Sequence, residues 1–254
     1  KYGKEMIFAL LHETGNNAAE IACHFGPSDH PEVPGRWQYY GVSLPFWRSY
    51  DKEDPRREFF YYDYTGDAKR DDQSDYGFHY MVPEEGVTVV PNDTTKYMQN
   101  VATMKYTYDM ISDAYYDGRT ICIFRLSDVI LCKAEIENNL NGPAAALPYL
   151  NQIRARAGAP EYGKHNRFPA PSTKETMNDA ILKERGYELV FEFQRRADLI
   201  RFGKYEEVVN AHLKKLGIAQ PTNVTSSLRY FPYPLNDAQL NPNLAAENPS
   251  RLPK

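Results

Sequence analysis

Residues 181–192 read Ile181-Leu182-Lys183-Glu184-Arg185-Gly186-Tyr187-Glu188-Leu189-Val190-Phe191-Glu192 and have the pattern of an amphipathic helix. The apolar positions at helical spacing in and around this stretch are Met177, Ile181, Leu182, Leu189 and Phe193. Glu184, Arg185 and Glu188 lie within the (i, i+4) distance at which side chains of one helix form pairs. We interpret these charges as salt bridges on the helix surface, and we prefer this to a catalytic role because such surface pairs are common.

The beginning of this helix is indicated by Ser172-Thr173-Lys174-Glu175. A serine followed three residues later by a glutamate is typical of a capping box, in which each side chain binds a free backbone amide. The helix is therefore predicted to start here, with an apolar side that continues to Phe193.

Two further helices are predicted upstream and one downstream. Apolar residues recur at helical spacing over residues 126–138. Pro143 can occupy the first position of the next helix, which Gly158 ends, and a short turn makes the two helices antiparallel. Pro148 removes one backbone hydrogen bond, so this second helix is expected to start late or to bend. A short helix is predicted over residues 206–216.

The first part of the chain, residues 1–118, is rich in proline, glycine, asparagine and aspartate, which interrupt helices. It is predicted to consist of loops and short strands, with residues 67–74 forming an exposed loop. The strand candidates, rich in β-branched or aromatic residues, are residues 5–11, 58–64, 87–90 and 120–125. The fold class expected for the whole chain is mainly α, with long irregular loops and a few short strands.

Composition limits the functions that the 254-residue chain can have. Hydrophobic residues make up 42% and charged residues 25%, which is ordinary for a folded globular protein. Lysine and arginine number 30 against 34 aspartate and glutamate residues, and the net charge of −4 argues against nucleic-acid binding. No apolar run is long enough to span a membrane. Cys23, Cys122 and Cys132 are odd in number and lack metal-type spacing, so neither a disulfide framework nor a zinc site is indicated. No cofactor is expected.

Sequence signatures of catalysis are missing. His12-Glu13 lacks the second histidine of a zinc-protease helix, and no G-x-S-x-G, phosphate-loop or dinucleotide motif occurs. His24 and His30 could lie together, although exposed loop histidines are the commoner case. Acidic pairs such as Asp71/Asp72 and Glu84/Glu85 could serve a glycoside hydrolase, but neighbouring acidic residues are too frequent to identify one.

Several separate motifs resemble one known family. The motifs are Lys4–Ala9, Asp54–Arg57, Phe124–Glu135, Ala146–Gly158, Ile181–Glu192, Arg195-Arg196, Asp198–Gly203, Phe231–Pro234, Asn241–Leu244 and Asn248-Pro249. In this order they resemble the C-terminal half of the SusD/RagB family of outer-membrane nutrient-binding lipoproteins. Phe193, Ala197 and Pro148 depart from the family pattern.

The resemblance implies both an architecture and a role. Residues 1–254 would form the family's C-terminal domain, with a loop-rich, ligand-facing part (1–118) and a helical scaffold with a tail (119–254). The scaffold would contain a helical hairpin of tetratricopeptide type, and the upstream half and lipid anchor would lie outside this chain. The protein would be a non-enzymatic receptor on the outward face of the outer membrane. It would capture oligosaccharides, or peptides in some members, for a SusC-like TonB-dependent transporter.

The ligand is expected to bind to aromatic side chains in the first part of the chain. Sugars place apolar ring faces on aromatic rings, while amides and carboxylates bind their hydroxyl groups. The predicted ligand-binding residues are Trp37, Tyr39, Tyr40 and Trp47, and Gln38, Arg36 or Asp51 could add hydrogen bonds. Three alternatives stay open, namely that Trp47 belongs to the core, that the chain is a glycoside hydrolase, and that it is a scaffold that binds only other proteins.

Overall fold

The structure is a computed structural model that describes residues 4–12, 21–27, 30–31, 37–66, 78–85, 95–105, 120–215, 224–225, 231–241 and 243–244. It falls into two compact units, residues 1–192 and 193–254. The predicted fold class, mainly helical with irregular loops and a few short strands, is confirmed. The change of composition near residue 118 lies inside the first unit. That the whole chain forms one C-terminal domain stays a prediction.

In the first unit, the helices up to residue 58 are short and those from residue 126 onward are long. Those of the first unit are α1 (Ile21–Phe25), α2 (Leu44–Arg48), a 3-10 helix (Pro55–Glu58), α3 (Leu126–Asn141), α4 (Pro143–Ala157) and α5 (Lys174–Glu188). Those of the second unit are α6 (Arg195–Arg201), α7 (Tyr205–Lys215) and α8 (Leu235–Leu240). The three long helices α3, α4 and α5 pack against one another and form the scaffold of the first unit.

The helix pair α3–α4 is joined by Gly142 alone. Helix α4 begins at Pro143 and ends at Gly158, which adopts the left-handed conformation (φ 72°) that glycine accepts at a helix end. The late start expected from Pro148 is wrong. Because Pro148 lies near the start of α4, the hydrogen bond that it removes belongs to the first turns of the helix. The tetratricopeptide type of this hairpin stays a prediction.

Helix α3 extends to Asn141, three residues beyond its predicted end. Asn138 is fully buried in this last turn, and its amide nitrogen donates to the Lys174 carbonyl oxygen at 2.9 Å and to Asn178 Oδ1 at 2.8 Å. These two hydrogen bonds attach the end of α3 to the first turn of α5.

Both ends of α5 differ from the prediction. Its N-cap is Thr173, not Ser172. The Thr173 hydroxyl accepts a hydrogen bond from the Thr176 amide, and the Thr176 hydroxyl accepts one from the Thr173 amide. Its last residue is Glu188, so Phe193 lies outside the helix. Phe191 has a positive φ of 58°, which is incompatible with a continuing helix.

The strands form three small sheets. The strands are β1 (Met6–Leu10), β2 (Val42–Ser43), β3 (Phe60–Tyr61), β4 (Asp63–Thr65), β5 (His79–Met81), β6 (Thr95–Tyr97), β7 (Asn100–Thr103) and β8 (Ile121–Arg125). The sheet orders are β1-β8, β2-β7-β3 and β4-β5-β6, and among the described strands only the β5-β6 pairing is parallel. The strand predicted at 58–64 is split into β3 and β4. The segments 67–74 and 87–90, for which predictions were made, lie outside the described residues.

Aromatic rings form much of the core around the central sheet. The buried members are Val42, Leu44, Trp47, Tyr50, Phe60, Tyr64, Met98, Val101 and Tyr187. Tyr50 and Tyr187 stack with centroids 4.1 Å apart, and the Tyr50 hydroxyl donates to the Tyr187 carbonyl oxygen at 3.1 Å. Tyr187 therefore joins α5 to the loop-rich part of the same unit.

The charges of α5 are buried, and the predicted surface lattice is wrong. Glu184, Arg185 and Glu188 are each at most 5% exposed. Their (i, i+4) spacing is compatible with either location, and arginines from distant segments decide between the two. Arg154 on α4 contacts Glu184 at 2.7 Å, and Arg56 in the 3-10 helix contacts the other oxygen of the same carboxylate at 2.7 Å.

Arg125, at the end of β8, is the centre of this buried network. Its guanidinium group contacts Glu188 at 2.7 Å, Glu192 at 2.8 Å and Glu5 at 2.7 Å, and donates to the Glu188 carbonyl oxygen at 2.7 Å. Arg156 also contacts Glu188. One arginine thus holds β1, β8 and the end of α5 together.

The network also lowers the pKa of Glu188. Burial alone raises the pKa of this carboxyl group, but the nearby charges of Arg125 and Arg156 outweigh burial and hold it below its ordinary value. The charged form of Glu188 is therefore the one that the folded protein stabilises.

We predict that Glu188→Gln lowers the free energy of unfolding by about 3 kcal/mol, because it leaves buried guanidinium groups without a full counter-charge. Urea unfolding followed by circular dichroism measures the change. Glu84→Gln, at an exposed position, is the control and changes stability by less than about 0.5 kcal/mol. Equal stability of the two variants would contradict a structural role for the network.

We also predict an acid-dependent loss of stability. Because the pKa of Glu188 is lower in the folded state, its contribution is complete above the unfolded pKa of about 4.3 and is lost as the pH falls through the folded pKa. Urea titrations between about pH 7 and pH 2 should show a smaller decline for Glu188→Gln than for the unaltered protein. Parallel declines would remove Glu188 from the acid response.

Candidate functional site

Three of the four predicted ligand-binding residues lie together in one aromatic cluster. Trp37 and Tyr39 have ring centroids 5.3 Å apart at an interplanar angle of 33°. The His24 ring lies 5.2 Å from Trp37, 5.5 Å from Tyr39 and 6.3 Å from Tyr40. We call His24, Trp37, Tyr39 and Tyr40 the aromatic platform.

The platform is held by backbone hydrogen bonds to α1. The Trp37 amide donates to the Cys23 carbonyl oxygen at 2.8 Å, and the Tyr40 amide donates to the His24 carbonyl oxygen at 3.1 Å. Since carbonyl groups in the last turn of a helix have no partner within the helix, they are available for such bonds. The segment that carries the rings is therefore fixed at both ends to the same short helix.

Further aromatic contacts support the platform from inside the first unit. Phe25 is buried and lies 5.8 Å from the Tyr40 ring and 4.7 Å from the Phe191 ring. Phe191 follows α5, and its neighbour Val190 accepts a hydrogen bond from Lys105 Nζ at 3.0 Å. Lys105 and Arg125 both bind Glu192, so the turn beneath the platform is fixed by the ion network.

The residues of the platform are partly or largely accessible to solvent. Tyr39 is 66% exposed and Tyr40 is 60% exposed, while Trp37 and His24 are partly exposed. Tyrosine and tryptophan rings combine an apolar face with a polar edge. Such a surface can bind the flat, weakly polar face of a ligand and hydrogen-bond its hydroxyl groups.

Trp47 is the exception among the predicted residues, because it lies in the core. It is 5% exposed, its ring nitrogen donates to the Arg57 carbonyl oxygen at 3.3 Å, and the Arg57 guanidinium lies 4.3 Å from its ring centroid. Tyr62 packs against it at 5.2 Å. The alternative that Trp47 belongs to the core is confirmed, and we remove it from the candidate site.

The polar candidates have different surroundings. Gln38 Nε2 donates to Asn100 Oδ1 at 3.2 Å, directly beside the platform. Asp51 accepts two hydrogen bonds from Arg167, at 3.0 and 3.2 Å, and so belongs to a separate ion pair. Arg36 lies outside the described residues, as do Asp71 and Asp72.

His24 is the platform residue whose role the sequence did not reveal. A histidine in a proline-rich segment predicts an exposed loop residue, and nothing in its spacing indicates contact with three aromatic rings. His30 contacts a different pair, Tyr61 at 4.8 Å and Tyr64 at 4.9 Å. The two histidines therefore belong to separate aromatic groups.

Among the helices of the described residues, none is long and apolar enough to cross a lipid bilayer.

We predict that truncation of the two tryptophans lowers stability by different amounts. Trp47→Ala should lower the free energy of unfolding by about 3–5 kcal/mol, because it leaves a cavity in the core. Trp37→Ala should cost less than about 1 kcal/mol, because its side chain is partly exposed. Urea unfolding measures both, and acrylamide quenching of the remaining tryptophan should be stronger when Trp37 is the one retained. Equal quenching would contradict this assignment.

The profile of the SusD family matches residues 27–250 of the chain. SusD-like protein P25 of Formosa agariphila is 39% identical over 120 residues, which are 47% of this chain and 22% of that protein. The starch-binding protein SusD of Bacteroides thetaiotaomicron is 28% identical over 137 residues, which are 53% of this chain and 22% of that protein. The chain thus spans less than half the length of these curated relatives.

Solved structures resemble the chain in fold. A SusD superfamily protein from Parabacteroides distasonis has a TM-score of 0.63 at 20% identity, over 94% of this chain and 48% of that chain. Surface glycan-binding protein A from Bacteroides thetaiotaomicron in complex with laminarihexaose has a TM-score of 0.59 at 20% identity, over 93% of this chain and 50% of that chain. The family profile covers most of the residues, and the chain belongs to the SusD family.

Proposed function

We propose that this chain binds an oligosaccharide on the aromatic platform and leaves it chemically unchanged. The observation that carries the proposal is the group of partly exposed rings at Trp37, Tyr39 and Tyr40. A neutral sugar offers few charges, so stacking on rings together with hydrogen bonds to its hydroxyl groups is its main source of affinity.

The chemistry of the platform favours binding over hydrolysis. A glycoside hydrolase places two carboxyl groups about 5–9.5 Å apart across the bond that it breaks. The platform consists of rings, and two side chains next to it in the described part of the chain, Gln38 and Asn100, are amides. Amides donate and accept hydrogen bonds with sugar hydroxyls but do not transfer protons at neutral pH. A binding role without turnover follows.

Two named relatives suggest which sugars to test first. One curated relative is a starch-binding protein, and one structural neighbour is in complex with laminarihexaose. Starch and laminarihexaose both consist of neutral glucose units, which are joined by different linkages. We therefore choose maltohexaose and laminarihexaose as probes, together with an unrelated hexapeptide that represents the peptide-binding alternative.

The proposed wider role is capture of a nutrient at the cell surface. As a member of the SusD family, the protein would act on the outward face of the outer membrane, held there by a lipid anchor. It would pass its ligand to a SusC-like TonB-dependent transporter. Co-purification of the complete protein with such a transporter from detergent-solubilised outer membranes tests this part, and a receptor found without one would contradict it.

We predict that Trp37→Ala and Tyr39→Ala each weaken binding of the preferred hexasaccharide by about tenfold or more, because each removes a stacking face at the centre of the contact. Isothermal titration calorimetry measures the dissociation constants. Phe59→Ala is the matched control, since Phe59 is another exposed aromatic residue of the first unit and should not change affinity.

Chromatography of the same samples checks for reaction products, and none are expected. Release of shorter sugars would contradict the non-enzymatic proposal. Preference for the hexapeptide would favour the peptide-binding alternative. Hexasaccharide affinity that is unaffected by both substitutions would remove the platform from the binding site.

A further inference from the structure

Gln38 adopts an unusual backbone conformation in the middle of the platform. Its φ is +49°, in the left-handed region that residues other than glycine seldom occupy. The residues on either side of it are Trp37 and Tyr39, whose rings lie 5.3 Å apart. The distance and tilt of the two rings therefore depend on a strained residue that the surrounding structure has to hold in place.

Asn100 provides one of the side-chain contacts of Gln38. The Asn100 Oδ1 atom accepts a hydrogen bond from Gln38 Nε2 at 3.2 Å across 62 positions of sequence. Asn100 begins β7, the middle strand of the β2-β7-β3 sheet, and its neighbour Val101 is fully buried. Gln38 is thus attached to a well-anchored element of the core.

Gly41 makes this contact possible. A β-carbon built on Gly41 would lie 2.1 Å from Asn100 Oδ1 and 2.6 Å from Asn100 Cγ. The Asn100 side chain therefore lies directly against the Gly41 backbone, in space that any other residue would fill. Gly41 and Gln38 flank the two tyrosines of the platform. Asn100 contacts both flanking residues, Gln38 and Gly41.

We propose that Asn100 is a positioning residue of the platform: it holds Gln38 in its left-handed conformation and so fixes the Trp37 and Tyr39 rings in the arrangement that binds the ligand. This inference rests on the proposed function for its effect on sugar binding. Its effect on the rings themselves is independent of any ligand.

The first readout is the environment of Trp37. Protein labelled with 5-fluorotryptophan has two fluorine resonances, one for each of its two tryptophans, and Trp37→Phe identifies the Trp37 signal. Asn100→Leu keeps the size of the side chain but removes the acceptor, so the Trp37 resonance should shift or broaden. The Trp47 resonance, which reports on the core, should stay in place and serves as the control for folding.

Two further variants separate the hydrogen bond from the bulk of the side chain. Asn100→Asp keeps an acceptor for Gln38 and should retain the Trp37 resonance. Gly41→Ala places a methyl group where the Asn100 amide lies and should reproduce the effect of Asn100→Leu. Thermal unfolding of every variant by circular dichroism checks that the fold is intact.

The second readout is affinity for whichever of maltohexaose and laminarihexaose the unaltered protein binds. Asn100→Leu and Gly41→Ala should each raise the dissociation constant about fivefold, which is the effect of losing one neutral hydrogen bond. Asn100→Asp should stay within about twofold. This pattern would be expected of a positioning role and not of general destabilisation, because all variants keep the Trp47 resonance.

The outcomes distinguish this inference from the proposed function. If neither sugar binds the unaltered protein, the proposed function fails, and the Trp37 resonance still decides whether Asn100 positions the ring. An unchanged Trp37 resonance in both Asn100→Leu and Gly41→Ala overturns the inference, even if the sugars bind. Loss of the Trp37 signal in Asn100→Asp as well would also overturn it, since that variant retains the acceptor.

Discussion

Arg125 donates to carboxylates from both ends of the first unit, namely Glu5 before β1, Glu188 at the end of α5 and Glu192 in the turn that follows it. A guanidinium group is planar and always charged, so it can satisfy several carboxylates at once in a fixed geometry. The price of burying these charges is recovered only while all of them remain in contact. The same contacts determine where α5 ends and where the turn with Phe191 begins. Because Phe191 supports Phe25 and through it Tyr40, the position of the aromatic platform depends on this arginine.

The long helices could be predicted from local sequence, whereas the burial of their charges could not. Apolar spacing and the Pro143 and Gly158 signals indicate α3 and α4 because they act within a few residues. The same local rules misplace the start of α5 by one residue, since Ser172 and Thr173 are both good caps. The burial of Glu184 depends on Arg56, which is 128 positions away in sequence. Periodicity carries no information about a partner at that distance.

The candidate site shows the same division between local and distant information. The aromatic composition around Trp37 and Tyr39 indicates a ring cluster, because those residues are neighbours in the chain. Trp47 has equally aromatic neighbours, yet its ring is buried against Arg57 and Tyr62. His24 and Asn100 reach the platform only through the folded arrangement of α1 and β7. Their contribution depends on tertiary contacts that neither composition nor spacing describes.

The ion network and the platform differ in how their residues can be exchanged, and this difference has a consequence for how such a chain can diverge. Substitution of any one acidic or basic residue of the ion network would leave its partner buried without a counter-charge. Substitutions in the network are therefore tolerated only in compensating pairs. Replacing one of the exposed rings does not leave a charged partner unpaired, so each ring can change singly. Under the proposed function, substitutions of the exposed rings can change the ligand preference, whereas the helical scaffold accepts few substitutions. The same helical scaffold can therefore carry many different exposed surfaces.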